Sequence, residues 1–193
     1  MSEIIVTIGD VETTGLKQES GHRLIEVAFG CHRYNTVTRE HRQVGSTFVQ
    51  RINPMRDIDP VAQNVHGISL ADLRGCPVWE DVAPKINKIL AMTHVFVAHN
   101  AAFDAPFLAL ELIRADYSAP RFQVFCTMEN GRQATAFGKA PNLGELCWAM
   151  NVEYDPSAAH AADYDVKVLT ESYWEGIKRE LFAAPETLLA IAA

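Results

Sequence analysis

The fold of this chain is decided by one stretch near its start, Val6–Gly15, which reads VTIGDVETTG. This stretch continues an apolar, β-branched run that begins at Ile4 and is typical of a buried strand. The run ends in two carboxylates, Asp10 and Glu12, which lie one residue apart. Because two acids at the end of a buried strand repel each other, this pattern calls for a compensating positive charge.

The composition describes one globular domain without a membrane span. The chain has 193 residues, a length that suits a single domain with a full-sized core. No apolar run approaches the roughly 20 residues of a membrane span, and no signal peptide is recognisable. The four cysteines are far apart and form no C-x-x-C pair, which predicts a reducing, cytoplasmic location.

The net charge of −7 argues at first against a nucleic-acid-binding protein, because such domains usually present a basic face. The argument does not extend to nucleases that depend on metal ions. Their sites are built from acids, and the cations that they bind reverse the local electrostatic field. The charge therefore leaves nucleic acid open as a partner.

The chain begins mainly with strand patterns and continues mainly with helix patterns. Strand patterns cover residues 3–10, 23–33, 44–52, 95–98 and 122–125. Helical patterns cover residues 59–65, 69–73, 79–91, 101–115, 127–137, 143–150 and 162–181. This order predicts one α/β domain, residues 1–181, with a mixed five-stranded central sheet flanked by helices. Residues 182–193 contain Pro185 and are predicted to form a short C-terminal tail, either frayed or docked.

Asp10 and Glu12 occupy alternate positions of the first strand, so both side chains project from the same face. A divalent cation between them would offset their repulsion, and Mg²⁺ and Mn²⁺ prefer oxygen ligands. The alternative is a strand end that emerges into solvent with two surface acids. The pair by itself leaves both interpretations open.

Two further acids and a histidine follow buried segments. Asp104 lies near the start of a helix, where the helix dipole alone also favours an acid. Asp165 flanks the apolar stripe of the last long helix, at the edge of its packing surface. His160 precedes Asp165 by five residues, which on a continuous helix would separate the two side chains by about 140°. A loop at 158–160 would let the imidazole fold back toward the carboxylates, and a solvated surface histidine is the alternative.

Taken in order, these residues resemble the three motifs of the DEDDh, or DnaQ-like, exonucleases. D-x-E-T-T-G matches Asp10–Gly15, H-N-x-x-F-D matches His99–Asp104, and H-x-x-x-x-D matches His160–Asp165. The resemblance extends over Ile4–Gly176 and is closest in spacing to polymerase proofreading exonuclease subunits and to exonuclease X. Three positions depart from the usual family pattern: Val11, Asp163 and Val166.

The resemblance implies an RNase H-like fold and a metal-dependent 3′–5′ exonuclease. It implies that two divalent cations, Mg²⁺ or Mn²⁺, are held by Asp10, Glu12, Asp104 and Asp165, and that His160 is the general base. The implied substrate is a nucleic acid 3′ end, with single-stranded DNA favoured, and the products are nucleoside 5′-monophosphates. The residues expected to contact the substrate are Thr13, Thr14, Gly15, Leu16, His66, His99, Asn100 and Phe103. Ordinary structural roles stay open for Leu16 in a loop, Phe103 in the core and His99 as a helix cap.

Two alternatives to DNA exonuclease activity stay open. The substrate is RNA in the first, because no residue legibly reads the 2′-hydroxyl. The second is a catalytically silent nucleic-acid-binding module, which would not need four acids and a histidine. A polymerase partner stays uncertain, and Glu180-Leu181-Phe182 resembles a clamp-binding peptide so faintly that we expect no clamp complex. No membrane partner is expected.

Overall fold

A six-stranded mixed sheet forms the centre of the structure, a computed structural model that describes residues 2–191. The strands are β1 (Glu3–Thr13), β2 (Leu24–Asn35), β3 (His41–Gln43), β4 (Phe48–Arg51), β5 (Val95–Ala98) and β6 (Gln123–Cys126). They lie in the order β3-β2-β1-β5-β6, and β4 also pairs with β2. β1 runs antiparallel to β2 and parallel to β5, and β5 runs parallel to β6, so the sheet is mixed as predicted.

Helices cover both faces of this sheet. They are α1 (Pro60–His66), α2 (Leu70–Leu73), α3 (Trp79–Met92), α4 (Ala101–Arg114), α5 (Thr127–Asn130), α6 (Leu143–Met150), α7 (Ala162–Lys178) and α8 (Pro185–Ile191). Short 3₁₀ segments lie at Gln18–Ser20, Gly131–Ala134 and Ala136–Gly138. One face of the sheet packs against α6, α7 and α8, and the other face packs against α3 and α4.

Alternation along β1 decides which residues face which layer. Val6 and Ile8 pack toward α6 and α7, while Val11 packs toward α3 and α4. By the same alternation, the side chains of Asp10 and Glu12 project from the same face of β1 as that of Ile8, which is the side covered by α7. Because β1 and β5 are parallel, their carboxyl ends meet at one edge of the sheet, and α4 begins directly after β5. This edge is where the predicted site residues come together.

The sheet has six strands and not the predicted five. The additional strand, β3, pairs with the distal part of β2 and directly follows the stretch predicted as a turn, residues 35–41. Its three residues are all exposed, so they offer no apolar alternation for a sequence pattern to detect. Residues 127–137, predicted as one helix, form α5 followed by two 3₁₀ segments, since Asn130 and Gly131 favour helix weakly.

The described part of the C-terminal tail docks on the domain. Pro185 begins α8, because the first turn of a helix tolerates a residue without a backbone N–H. Phe182 is buried against the rings of Phe125 and Tyr173. The Tyr34 hydroxyl donates to Glu186 at 2.9 Å. Docking, one of the two predicted alternatives, therefore applies up to residue 191, while the domain boundary at 181 stays a prediction and residues 192–193 lie outside the described chain.

Two further findings concern membranes and cysteines. Within residues 2–191, no helix is long and apolar enough to cross a membrane. The thiols of all four cysteines are free, as the absence of paired spacings predicted. The cytoplasmic location stays a prediction.

Candidate active site

The first strand carries Asp10 and Glu12 to the edge of the sheet. In the β1–β2 ladder, Asp10 lies opposite Ala28 and Glu12 lies opposite Glu26. The pairing becomes irregular between Glu12 and Thr13, so the regular ladder ends at the second acid. Both acids are half-buried. They are therefore not the solvated surface pair that the sequence had left open.

Asp104 lies in the first turn of α4 and is only 3% exposed. The helix begins abruptly, because Asn100 adopts the left-handed conformation with φ of 81°. The Asn100 carbonyl accepts a hydrogen bond from the Phe103 amide at 2.7 Å. The helix dipole favours an acid here, but it does not require burial of that acid. Its burial therefore distinguishes Asp104 from an acid that the helix dipole alone would favour at a helix start.

The third acid, Asp165, is joined to His160 through the backbone. α7 begins at Ala162, so His160 lies in the preceding loop, as predicted, with φ of 63°. The His160 backbone amide donates to Asp165 Oδ2 at 3.0 Å, while the imidazole side chain is exposed. Asp165 Oδ1 is buried and has no hydrogen-bond partner. One oxygen of this carboxylate is therefore available to an external ligand.

A pocket of about 570 Å³ contains all five predicted catalytic residues. It lies between the loop that follows β1, the helix α1 and the start of α4. The residues that line it are Asp10, Val11, Glu12, Thr13, Gly15, Leu16, Lys17, Ser20, His22, Asp59, Val61, Ala62, Val65, His66, His99, Asn100, Phe103, Asp104, His160 and Asp165.

Burial and mutual repulsion raise the pKa values of the four acids. Burial is the largest cause at Asp10, whose pKa lies well above its ordinary value, and the charges of Asp104, Glu12 and Asp165 add to the shift. Burial also raises the pKa of Glu12 to about 8 and the pKa of Asp104 to about 8. The pKa of Asp165 is raised by burial, although the hydrogen bond from the His160 amide opposes this shift. The pocket thus concentrates uncompensated negative charge.

The donor set fits divalent cations by its chemistry. Carboxylate oxygens are the ligands that Mg²⁺ and Mn²⁺ prefer, and Asp165 Oδ1 is a buried oxygen without a partner. Within residues 2–191, no three histidine, cysteine or acidic side chains already converge closely enough to hold an ion. Carboxylates that repel each other are expected to stay apart until a cation draws them together.

Seven of the eight predicted substrate contacts line the pocket: Thr13, Gly15, Leu16, His66, His99, Asn100 and Phe103. Leu16 is 72% exposed and is thus accessible to a ligand. Thr14 is the exception, because it is fully buried beneath the pocket wall. Its hydroxyl lies 3.1 Å from His22 Nδ1 and accepts a hydrogen bond from the Arg23 amide at 3.0 Å. Thr14 thus supports the wall and does not line the pocket, and its predicted contact with the substrate stays a prediction.

His66 is held in one tautomer. Its Nδ1 accepts a hydrogen bond from the Ile68 amide at 3.0 Å, so the neutral ring carries its hydrogen on Nε2. Nε2 is buried and has no partner of good geometry, and only the Thr13 backbone approaches it. Burial lowers the pKa of His66, which favours the neutral ring. His66 therefore presents a hydrogen-bond donor at the Thr13 side of the pocket.

His99 belongs to the pocket wall. Its Nε2 lies 3.1 Å from the Pro141 carbonyl, and its Nδ1 lies 3.0 Å from the Thr127 hydroxyl. Burial lowers the pKa of His99 to about 4, so the ring is neutral. Because both nitrogens already have partners in the protein, His99 can contact a ligand only through its ring carbons. It does not cap α4.

Sequence reasoning missed Glu26, which is 5% exposed and lies opposite Glu12. Its carboxylate accepts a hydrogen bond from Arg51 Nε at 2.7 Å. Even so, its charge contributes to the raised pKa values of Asp10 and Glu12. The signal was present in the sequence, because Glu26 is the one acid within the apolar run LIEVAF.

Two valines of α1 were also missed. Val61 and Val65 lie one turn apart, are exposed and line the pocket beside Leu16. Their spacing is the same as that of core residues on an amphipathic helix, so the sequence offered no signal that distinguished them. With Leu16 they give the pocket an apolar side opposite its acids.

Four buried or half-buried acids and a histidine at the edge of a mixed sheet are the features of an exonuclease with the RNase H-like fold. The chain belongs to the exonuclease family RNase_T, whose family model matches residues 7–173. This finding confirms the predicted family, fold and enzyme class, which is that of the DnaQ-like 3′–5′ exonucleases.

The similar proteins include two epsilon subunits of DNA polymerase III and one further 3′-5′ exonuclease. The chain is 30% identical over 171 residues to DNA polymerase III subunit epsilon of Escherichia coli K12, covering 85% of this chain and 68% of that protein. It is 32% identical over 176 residues to the epsilon subunit of Rickettsia typhi, covering 90% of this chain and 74% of that protein. It is 31% identical over 159 residues to the 3′-5′ exonuclease DinG of Bacillus subtilis, covering 82% of this chain and 16% of that protein.

Solved structures show the same fold at lower sequence identity. Exonuclease X in complex with 5′ overhanging duplex DNA superposes with a TM-score of 0.64 and 23% identity, covering 93% of this chain and 95% of that chain. E. coli exonuclease I in complex with a dT13 oligonucleotide superposes with a TM-score of 0.75 and 18% identity, covering 92% of this chain and 42% of that chain. This chain thus spans about two fifths of exonuclease I.

Proposed function

We propose that this protein is a metal-dependent exonuclease that removes nucleoside 5′-monophosphates one at a time from the 3′ end of DNA, with single strands preferred. The observation that carries the proposal is the presence of four acids around one pocket, two buried and two half-buried, each with a raised pKa and without a lysine or arginine partner in the described chain. The DNA-bound structures of exonucleases I and X, which share the fold, support DNA as the substrate.

The four acids of the pocket are the proposed ligands of two divalent cations. These ligands would be the carboxylates of Asp10, Glu12, Asp104 and Asp165. When bound, Mg²⁺ or Mn²⁺ would supply charge stabilisation for an in-line displacement at phosphorus and would make water more acidic. In the metal-free protein, the same carboxylates hold protons more tightly than ordinary acids.

The protein's own residues move the proton and bind the strand end. His160 is the proposed acceptor of the proton of the attacking water. Its exposed position on a loop at the pocket and the hydrogen bond from its backbone amide to Asp165 support this role. The 3′-oxygen of the penultimate nucleotide is the leaving group. Leu16 and Val65 offer apolar contacts to the terminal base, and His66 lines the pocket beside them.

A digestion assay on 5′-labelled oligonucleotides tests this function. With Mg²⁺ or Mn²⁺, single-stranded DNA should shorten by one nucleotide at a time, and EDTA should stop the reaction. A 3′-phosphate should block or slow it, because the proposed reaction begins at a free 3′ end. Activity that persists in EDTA would refute the metal-dependent mechanism, and faster shortening of an RNA of the same sequence would replace DNA by RNA as the substrate.

A further inference from the structure

A buried ionic cluster lies on α4 outside the acidic pocket. Glu111, which is 1% exposed, accepts two hydrogen bonds from Arg23, from Nε at 2.6 Å and from Nη2 at 2.9 Å. Arg114 Nη1 donates to the same carboxylate at 2.7 Å. The two-bond pair with Arg23 holds the Glu111 carboxylate in place, and this carboxylate in turn gives Arg114 Nη1 a fixed acceptor.

Arg114 also donates to the loop of residues 15–22, which forms one wall of the pocket. Its Nη1 lies 3.3 Å from the His22 carbonyl, and its Nη2 lies 3.4 Å from the Gln18 carbonyl. The Gln18 carbonyl belongs to the first residue of the 3₁₀ segment Gln18–Ser20, which has no buried side chain, and the His22 carbonyl lies two residues beyond the end of this segment. Since core packing does not hold this segment, hydrogen bonds determine its position, and Arg56 makes the other contact, to the Gly21 carbonyl.

The inner side of the same wall packs on the ring of His22. A Cβ atom added to Gly15 would lie 2.3 Å from His22 Cε1, so only glycine fits against this ring. The Thr14 hydroxyl contacts the ring, and the Thr14 carbonyl accepts a hydrogen bond from the Asp59 amide at 2.9 Å. The wall is thus a thin layer, with His22 beneath it and Arg114 at its outer end.

We propose that Arg114, oriented by Glu111, is a positioning residue that sets the shape of the pocket wall for the terminal nucleotide of the strand. The residues that it positions are Gly15, Leu16, Lys17 and Ser20, all of which line the pocket. The proposal rests on the proposed function for the identity of the ligand. Arg114 itself does not line the pocket, so its effect is on binding and not on the chemical step.

The substitution Arg114→Gln tests this role, with Arg179→Gln as the matched control. Arg179 also pairs with a glutamate one turn earlier, Glu175, and donates to two backbone carbonyls, those of Ala149 and Met150, away from the pocket. With Mg²⁺ and a single-stranded oligonucleotide, Arg114→Gln should raise KM about fivefold, the equivalent of one net hydrogen bond. It should leave kcat within about twofold, because the lost interaction is the same in the ground and transition states.

Conservative rescue separates positioning from general destabilisation. Arg114→Lys keeps the positive charge and a donor group, so its KM should lie between those of the wild type and Arg114→Gln. Arg179→Gln removes similar contacts but should leave KM unchanged. An unchanged KM in Arg114→Gln, or an equal rise in Arg179→Gln, overturns the proposal. A fall in kcat with an unchanged KM overturns it as well.

Hydrogen exchange of the metal-free protein gives a readout that does not depend on activity. Arg114→Gln should speed amide exchange in residues 15–22, whereas Arg179→Gln should not. If the wild type does not shorten the oligonucleotide, the proposed function is refuted, and the exchange result still decides whether Arg114 holds the wall. Unchanged exchange in residues 15–22 overturns the positioning role even when the wild type is active.

Discussion

Asp104 and Glu111 lie on the same helix, α4, and both are almost completely buried, yet their surroundings are opposite. Glu111 receives three hydrogen bonds from two arginines. Asp104 has no arginine or lysine partner in the described chain, and burial raises its pKa to about 8. A buried acid that pairs with the protein's own arginines has a structural role. A buried acid that it leaves unneutralised is available to a cation from solution.

The comparison predicts opposite costs for removing the two kinds of acid. Breaking a neutralised pair leaves buried positive charge, which destabilises the fold. Removing an unneutralised acid relieves repulsion, so the metal-free fold should lose little or gain stability. Activity and stability should therefore separate between the two regions.

The largest effect is expected for Asp10→Ala. Turnover should fall by about 10³-fold or more, because Asp10 is a proposed ligand of the cations and the four proposed ligands act together. Thermal melting in EDTA should show a Tm equal to or above that of the wild type, since a repelling buried charge is gone. A large loss of stability in EDTA would mean that Asp10 is structural and would remove the contrast with Glu111.

The next effect concerns His160. His160→Asn should lower kcat by about 10²–10⁴-fold, the usual contribution of a positioned proton acceptor. Calorimetric titration with Mn²⁺ should give nearly the wild-type affinity, because His160 is not a proposed ligand. Near-wild-type turnover would leave His160 as a surface histidine, and lost Mn²⁺ binding would make it a ligand.

Glu111→Ala tests the neutralised side of the comparison. It should lower the free energy of unfolding by about 2–3 kcal/mol, because two arginines lose their charged partner while keeping some access to water. Denaturant titration in EDTA measures this, with Asp104→Asn as the control on the same helix, for which we expect no comparable loss. Equal losses in the two variants would show that the helix, and not the charge pairing, determines the effect.

The smallest effect is a pH dependence of the metal-free protein. The pKa of Glu12 is about 8 in the fold against 4.5 when unperturbed, so the folded state holds the proton more tightly between these values. Stability should therefore fall as pH rises through this window. Melting in EDTA between pH 6.5 and 8 should show a decline that Glu12→Gln reduces by about 1.4 kcal/mol, the equivalent of one pKa unit.

Much of the site was readable from local pattern. The alternation in β1 placed Asp10 and Glu12 on one face, and the apolar stripe of α7 placed Asp165 at a packing edge, both as the structure shows. The loop at His160 was likewise predictable, since a continuous helix would have separated it from Asp165. These features depend on the spacing of residues a few positions apart, and this spacing can be seen directly in the sequence.

Other features depend on distant partners. Thr14 was expected to face the substrate, but its hydroxyl is used by His22 and Arg23 across the loop. His99 was open to a capping role, but its ring nitrogens meet Thr127 and Pro141. No pattern within either motif specifies these contacts.

By itself, the sequence determined the family, the α/β class and the identity of the acids, because alternation, helical spacing and motif order are properties of short segments. Only the tertiary structure decided which buried acids are neutralised. Asp104 and Glu111 are separated by two turns of one helix, in which Arg114 lies one turn after Glu111 and pairs with it. Arg23 reaches Glu111 from 88 positions away in the chain, and no cation reaches Asp104 within the described residues. The physical reason is that a charge is compensated by what lies near it in space.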